Sequence, residues 1–249
     1  MKLKNKVALI TGSSQGIGYS TAIEMAKEGA NIIINYLHSK ESAENLKEML
    51  INKYNVKAII IRADINDEDE VKNMVEKAIT IFGHIDILVN NAGICNDSLI
   101  FDKTKTDFMK VLSVNLVGPF LTTKYVSKYM KEQKDGVIIN VASTNGIDTY
   151  YKESADYDAS KAGLISLTHN LALELAPFIR VNAVCPGWVN TKMNQELSEE
   201  QIKKEQQKIL LRRFGEPNEI AKVITFLATE DASYINNSII RVDGGVDNE

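Results

Sequence analysis

Tyr157 and Lys161 lie four positions apart in the segment YDASK, a spacing that places both side chains on one face of an α-helix. A phenol is a poor base at neutral pH, because its ordinary pKa is about 10. A nearby lysine ammonium favours the phenolate, so we expect Lys161 to lower the pKa of Tyr157. Ser143 ends a predicted strand and could stabilise charge developing on a carbonyl oxygen. These residue types predict proton transfer during hydride transfer at a carbonyl group.

The Tyr-x-x-x-Lys spacing alone does not identify a catalytic pair. Tyr36 and Lys40 share it, but no serine ends a strand before them. We interpret them as loop polarity or as a contact to a cofactor phosphate. Tyr150 and Tyr151 have no lysine four positions on, and we interpret them as aromatic residues of a substrate loop or of an oligomer contact.

Two acidic residues, Asp156 and Asp158, flank Tyr157 and could raise its pKa. Residues one position apart do not share a helix face, however, and acidic residues are favoured in the first turn of a helix. We therefore expect their effect on the pKa of Tyr157 to be small.

A glycine-rich turn follows the first predicted strand in the segment VALITGSSQGIG. Gly12, Gly16 and Gly18 allow a tight turn and a close approach of the backbone to a pyrophosphate. The helix that follows offers free N–H groups and a favourable dipole at its start. Strand, turn and helix together predict a dinucleotide-binding site.

These residues must be positioned by a regular alternation of short apolar and longer amphipathic segments. The predicted strands are Val7–Ile10, Ile32–Asn35, Ala58–Arg62, Asp86–Asn91, Gly136–Ser143, Ile179–Gly187 and Ser238–Gly245. The predicted helices are Ile17–Glu28, Ser39–Lys53, Asp67–Phe82, Lys105–Gln133, Asp156–Ala176 and Pro217–Thr229. The pattern predicts an α/β fold: a single Rossmann-type doubly wound domain over residues 1–249, with a seven-stranded parallel sheet and helices on both faces. Such sheets bind ligands at the carboxyl ends of their strands.

The composition excludes several other classes of protein. A net charge of −4 gives no basic face for nucleic acid. The apolar runs are far shorter than the roughly 20 residues that span a bilayer. Cys95 and Cys185 lie far apart and are typical of reduced thiols, each a small buried hydrophobe. We expect a cytoplasmic protein without a nucleic-acid, membrane or metal site.

In order and spacing, the motifs resemble those of the short-chain dehydrogenase/reductase family over essentially the whole chain. The matching segments are TGSSQGIG, RADIND, NNAG, VLSVNLVGPF, VAS, YDASK, PGWVNT, RFGEPNEIA and VDGG. The resemblance implies that Tyr157 transfers the proton, Ser143 stabilises the carbonyl oxygen, and Lys161 also bonds the nicotinamide ribose. It implies that Asn115 positions a water molecule in a proton relay to Lys161.

The resemblance also implies where a nicotinamide cofactor binds. Asp64 would hold the adenine edge, and residues 186–191 would touch the nicotinamide amide. The implied cofactor-binding residues are Gly12, Ser14, Gln15, Gly16, Ile17, Gly18, Asn35, His38, Ser39, Asp64, Ile65, Asn91, Ala92, Gly93, Tyr157, Lys161, Pro186, Gly187, Val189 and Thr191.

The end of the second strand bears on which nicotinamide cofactor is used. An acidic residue there would bond the ribose 2′-hydroxyl and repel a 2′-phosphate, but this chain has Asn35. His38, Ser39 and Lys40 could receive a phosphate. The sequence therefore favours NADP(H), while NAD(H) stays open because Gln15 stands where NADP-preferring relatives often carry a basic residue.

Residues 188–211 are charged, with apolar residues at helical intervals, and could form a lid over a substrate or a solvated amphipathic helix. The C-terminal third most resembles family members that reduce 3-oxoacyl thioesters of acyl carrier protein. The resemblance implies such a substrate, with acyl carrier protein as a possible partner, and a homotetramer. An alcohol, sugar or steroid dehydrogenase, or a catalytically silent nucleotide-binding regulator, are the alternatives.

Overall fold

Seven parallel strands form one sheet in a computed structural model that describes residues 1–194 and 197–246. The strands are β1 (Val7–Ile10), β2 (Asn31–Tyr36), β3 (Ala58–Arg62), β4 (Ile87–Asn90), β5 (Gly136–Val141), β6 (Ile179–Pro186) and β7 (Ile239–Val242). Their order across the sheet is β3-β2-β1-β4-β5-β6-β7. The predicted parallel, doubly wound sheet is confirmed, and the chain reverses its direction across the sheet between β1 and β4.

Helices cover both faces of the sheet, as predicted. They are α1 (Gly16–Lys27), α2 (Lys40–Tyr54), α3 (Glu68–Phe82), α4 (Lys105–Leu112), α5 (Gly118–Gln133), α6 (Ala155–Leu175), α7 (Glu199–Gln207) and α8 (Pro217–Ala228). Contacts between elements place α1, α2 and α8 on one face and α3, α4, α5 and α6 on the other. No helix among the residues described is long and apolar enough to cross a membrane.

Strand β1 shows why the strands are apolar throughout. Ala8 and Ile10 pack into the hydrophobic cluster under α1, α2 and α8, whereas Val7 and Leu9 pack into the cluster on the other face. All four side chains are fully buried. Because both faces of a central parallel strand are covered, neither alternate position can be polar.

The predicted single helix Lys105–Gln133 is interrupted by a π-helical segment, Ser113–Val117. This segment joins α4 to α5 and carries Asn115, whose side chain is fully buried. Short π-helical segments within α-helices occur frequently at functional sites. The hydrophobic spacing of the sequence did not predict it, because the change affects the hydrogen-bond ladder and leaves the buried face of the helix in place.

Capping residues define both ends of α3. Asp67 accepts the N–H of Glu70 at 2.9 Å at the start of this helix. The Glu70 carboxylate accepts the N–H of Asp64 at 2.8 Å and pairs with Arg62. Glu70 therefore ties the start of α3 to the turn after β3. Gly83 ends this helix with φ +81°.

Candidate active site

The glycine-rich turn and the NNAG segment meet at the carboxyl edge of the sheet, where β1 and β4 lie side by side. Gly12 and Gly16 have φ of +61° and +60°, a backbone conformation that favours glycine. Gln15 is the N-cap of α1. Among the described residues, no side chain accepts a hydrogen bond from the N–H groups in the first turn of α1. These N–H groups can therefore bind a phosphate.

The turn packs too closely on its neighbours for any larger residue at two of its glycines. A Cβ atom at Gly12 would lie 2.9 Å from the Cα of Ala92, and one at Gly18 would lie 2.4 Å from the amide nitrogen of Asn91. The Asn91 amide donates to the carbonyls of Thr11 and Gly12 at 2.9 and 3.2 Å. This closely packed turn, with glycine backbone at its surface, fits a dinucleotide pyrophosphate, so the residues present suit the cofactor that the sequence implies.

Asn35 supports this turn from beneath. Its side chain is 2% exposed, accepts the N–H of Gly12 at 3.1 Å and donates to the carbonyl of Ala63 at 3.0 Å. It joins the phosphate turn to the end of β3, so its amide is already occupied. The side chains that lie nearer the surface after β2 are those of His38, Ser39 and Lys40.

Asp64 lies in the turn after β3. One of its carboxylate oxygens accepts the N–H of Asn66 at 2.9 Å, which shapes the turn. The neighbouring Ile65 is buried against Gly118, where a Cβ atom would lie 2.6 Å from the Ile65 side chain. Gly118 begins α5, so this contact fixes the Asp64 turn against the helix that follows Asn115.

The segment after β6 returns toward the phosphate turn. Thr191 faces Gly16, since a Cβ atom added there would lie 3.7 Å from the Thr191 methyl group. Pro186 and Val189 are buried, and Gly187 packs on Asp243, where a Cβ atom would lie 2.7 Å from the Asp243 side chain. The segment that the sequence assigned to the nicotinamide is therefore beside the glycine-rich turn.

Ser143, Tyr157 and Lys161 come together beside this segment. Ser143 follows β5, and its hydroxyl is close enough to the Tyr157 phenol to lower the pKa of that group. The Lys161 ammonium lies 5.5 Å from the centre of the Tyr157 ring and donates to the carbonyl of Val141 at 2.9 Å. Gly93 packs next to Lys161, because a Cβ atom added at Gly93 would lie 3.5 Å from the Lys161 nitrogen.

The pKa of Tyr157 is raised in this structure, against the expectation that Lys161 would lower it. Burial of the phenol is the largest cause and raises its pKa to about 12, although Ser143 acts to lower it; Cys95 and Asp158 add to the rise. Burial also lowers the pKa of Lys161 to about 8. The two groups do not hydrogen-bond, so desolvation dominates both. Tyr157 is therefore held in the protonated form, ready to act as an acid.

Asn115 anchors the loop that carries Gly93. Its amide oxygen accepts the N–H of Ile94 at 2.9 Å, and its amide nitrogen donates to the carbonyl of the same residue at 2.9 Å. The amide nitrogen also donates to the hydroxyl of Ser160 at 3.0 Å. Asn115 thus links the loop after β4 to α6, one residue away from Lys161.

Some residues that shape the site carried no signal in the sequence. Gly146 packs on the backbone of α6, where a Cβ atom would lie 2.6 Å from the Lys161 carbonyl carbon.

Cys95 is exposed, contrary to the expectation of a buried thiol, whereas Cys185 is buried as expected. Among residues 1–194 and 197–246, no group of three His, Cys, Asp or Glu side chains could hold a metal ion.

Lys103 and Asp156 form a buried ion pair at the start of α6. Their side chains are 2% and 0% exposed, and the ammonium lies 2.7 Å from the carboxylate. Lys103 also donates to the carbonyl of Asn96 at 2.5 Å, and Asp156 accepts the N–H of Tyr157 at 2.9 Å. The pair therefore fastens the loop after β4 to the first turn of the helix that carries Tyr157.

Replacing Lys103 with Met is expected to lower the free energy of unfolding by about 3–5 kcal/mol, because it leaves the Asp156 carboxylate buried without a partner. The double variant Lys103→Met/Asp156→Asn should recover much of this loss. Urea unfolding measures both, with Lys105→Met, at an exposed lysine nearby, as the control. A double variant as unstable as the single one would contradict this account.

The predicted lid contains α7 and is fastened to the loop before α6. The Tyr151 hydroxyl donates to the Glu205 carboxylate at 2.8 Å, and the Trp188 indole donates to the Tyr151 oxygen at 2.9 Å. The Trp188 ring stacks on Phe214, with centres 5.5 Å apart. Tyr151 is therefore a contact of the lid. Residues 195 and 196 of the predicted lid lie outside the described residues.

Comparison with known proteins agrees with this arrangement. The family model described as enoyl-(acyl carrier protein) reductase matches residues 12–247. The 3-oxoacyl-[acyl-carrier-protein] reductases FabG of Thermotoga maritima and Aquifex aeolicus are each 42% identical to the chain, over 99% of both sequences. The crystal structure of levodione reductase has a TM-score of 0.93 at 35% identity, covering 98% of each chain.

Proposed function

Because the chain belongs to the short-chain dehydrogenase/reductase family, we propose that it reduces the keto group of a 3-oxoacyl thioester with NADPH. The observation that carries the proposal is the group of Ser143, Tyr157 and Lys161 near the glycine-rich turn that suits a phosphate. The two relatives from Thermotoga and Aquifex, similar over their full length, are named for the same substrate.

The side chains divide the chemistry among them. The cofactor supplies the hydride when bound. Tyr157, kept protonated by its raised pKa, donates its proton to the carbonyl oxygen as the alkoxide develops. Ser143 donates a hydrogen bond to the same oxygen and stabilises its charge. Lys161 would bond the nicotinamide ribose, and Asn115 keeps the loop after β4 in place beside these residues.

The preference for NADPH is supported by the surface after β2. Asn35 is buried and carries no charge, so nothing at the end of β2 repels a 2′-phosphate. His38 and Lys40 are exposed beside the start of α2 and can bind one. Measuring kcat/KM with NADPH and NADH tests this. Equal or higher values with NADH would contradict it.

The substrate class is tested with a panel of carbonyl compounds. We expect the highest kcat/KM with a 3-oxoacyl thioester, and a higher value on acyl carrier protein than on a small thiol. An enoyl thioester belongs in the panel, because the family model is described by that activity. Preference for a sugar, steroid or polyol would favour the alternative dehydrogenase. Tight cofactor binding without any turnover would favour a regulator.

We propose a cytoplasmic homotetramer. Exposed apolar side chains lie on the long helices of one face, including Met109 on α4, Phe120 on α5 and Leu173 on α6. Leu173 is 75% exposed, and a second copy of the chain would bury it. Light scattering at micromolar concentration tests this, and a mass equal to one chain would contradict it.

A further inference from the structure

A series of hydrogen-bonded polar side chains connects the catalytic serine to Asp158. The amide nitrogen of Asn145 donates to the Asp158 carboxylate at 2.7 Å, and the hydroxyl of Ser154 lies 2.8 Å from the same carboxylate oxygen. On the other side, the amide oxygen of Asn145 lies 3.3 Å from the Ser143 hydroxyl. Asn145 thus stands between the catalytic serine and a carboxylate on the catalytic helix.

The contact with Asp158 decides which way the Asn145 amide points. An ionised carboxylate only accepts hydrogen bonds, so the NH₂ group of Asn145 must face it. The amide oxygen of Asn145 then has to face Ser143. The carboxylate of Asp158 therefore determines that the atom of Asn145 next to Ser143 is a hydrogen-bond acceptor.

The hydrogen of the Ser143 hydroxyl is directed at Asn145 in this arrangement. A serine hydroxyl has one hydrogen to donate and two lone pairs. One lone pair accepts the N–H of Asn145 at 3.2 Å, and the hydrogen goes to the Asn145 amide oxygen at 3.3 Å. The Ser143 hydroxyl therefore has no hydrogen left for the Tyr157 phenol in this arrangement.

We propose that Asn145 is a positioning residue for the catalytic serine. Oriented by Asp158, its amide oxygen holds the Ser143 hydrogen until a substrate oxygen replaces it. This keeps the Ser143 hydrogen from donating to the Tyr157 oxygen. The long distance of 3.3 Å makes the bond weak enough to exchange for one to a charged oxygen. The proposal rests on carbonyl reduction and is independent of which carbonyl compound is the substrate.

The first test removes the two contacts of the Asn145 amide one at a time. In Asn145→Leu the serine loses its acceptor, and its hydroxyl is free to donate to Tyr157 instead. In Asp158→Asn the Asn145 amide is free to turn and present its NH₂ group to Ser143. Each variant should lower kcat about tenfold, the effect of losing one neutral hydrogen bond, with the dissociation constant for NADPH unchanged.

The swapped variant Asn145→Asp/Asp158→Asn is the decisive measurement. It places an acceptor at position 145 and a donor at position 158, so it should recover most of the kcat lost in Asp158→Asn. Asn145→Asp alone brings two carboxylates together and should be the least active. Glu153→Gln, which removes a charge from the same loop, is the control and should keep wild-type kcat.

Several results would overturn the proposal. Wild-type kcat in Asn145→Leu would do so, as would a swapped variant no better than the single ones. Losses of kcat that follow losses of melting temperature across the series would show a purely structural role. Failure of the proposed function is distinguishable, because it is measured on the wild-type protein alone. The compound with the highest kcat/KM would then not be a 3-oxoacyl thioester, and the variants would be compared on the compound that the wild type prefers.

Discussion

Replacing Tyr157 with Phe is expected to lower the rate of carbonyl reduction by roughly 10²–10⁴-fold, the usual contribution of a positioned general acid. The change removes the phenol oxygen and keeps the ring. The alkoxide that forms during hydride transfer then has only Ser143 beside it and must take its proton from water. Steady-state kinetics with NADPH and a 3-oxoacyl thioester measure the loss.

Cofactor binding should be almost unaffected by this change, because the phosphate cradle is built from glycine backbone and from Asn91. A fluorescence titration with NADPH checks this. Tyr150→Phe is the matched control: Tyr150 is 72% exposed, and its hydroxyl bonds only the carbonyl of Ile147 at 3.1 Å among the described contacts. It should keep activity within about twofold of the wild type. A Tyr157→Phe variant within tenfold of the wild type would rule out Tyr157 as the proton donor.

The sheet could be predicted from the sequence because its signal is local. Each strand is a continuous apolar run, and covering by helices on both faces demands that pattern. The glycine-rich turn was predictable for a similar reason, since positive φ at Gly12 and Gly16 is written directly into the residue type.

What the sequence did not predict depends on residues that meet only in the folded chain. Lys103 and Asp156 are 53 positions apart, and neither neighbourhood indicates that both side chains become buried. The pKa of Tyr157 was expected to fall because a lysine is near it in sequence. It rises because the phenol is buried, which the spacing cannot show.

Replacing Lys161 with Met is expected to abolish turnover and to make the cofactor-free protein more stable at pH 7. Lys161 is 4% exposed, and among residues 1–194 and 197–246 it has no carboxylate partner. Burial lowers its pKa from 10.5 to about 8, which corresponds to a desolvation cost of about 3 kcal/mol. Methionine has a similar length and removes this cost. Loss of the hydrogen bond to Val141 lowers the resulting gain in stability by about 1 kcal/mol.

The pH dependence of this difference identifies its cause. Below about pH 8 the ammonium is charged in both states, and the full cost is present. Between about pH 8 and 10.5 the unfolded chain holds the proton that the folded chain has released, so wild-type stability rises with pH relative to the variant. Urea unfolding at pH 7, 8, 9 and 10 should therefore show the variant's advantage shrinking.

Comparing the variant with the wild type at each pH cancels the contribution to stability of the other groups that titrate in this range. Burial raises the pKa of Cys185 to about 11, which lowers stability as the pH rises above 9, but it does so in both proteins. Lys128→Met, at an exposed lysine of α5, should show no such pH-dependent difference. A variant less stable than the wild type at pH 7 would contradict the argument. The predicted signs together mean that this ammonium opposes folding and is retained for what it binds.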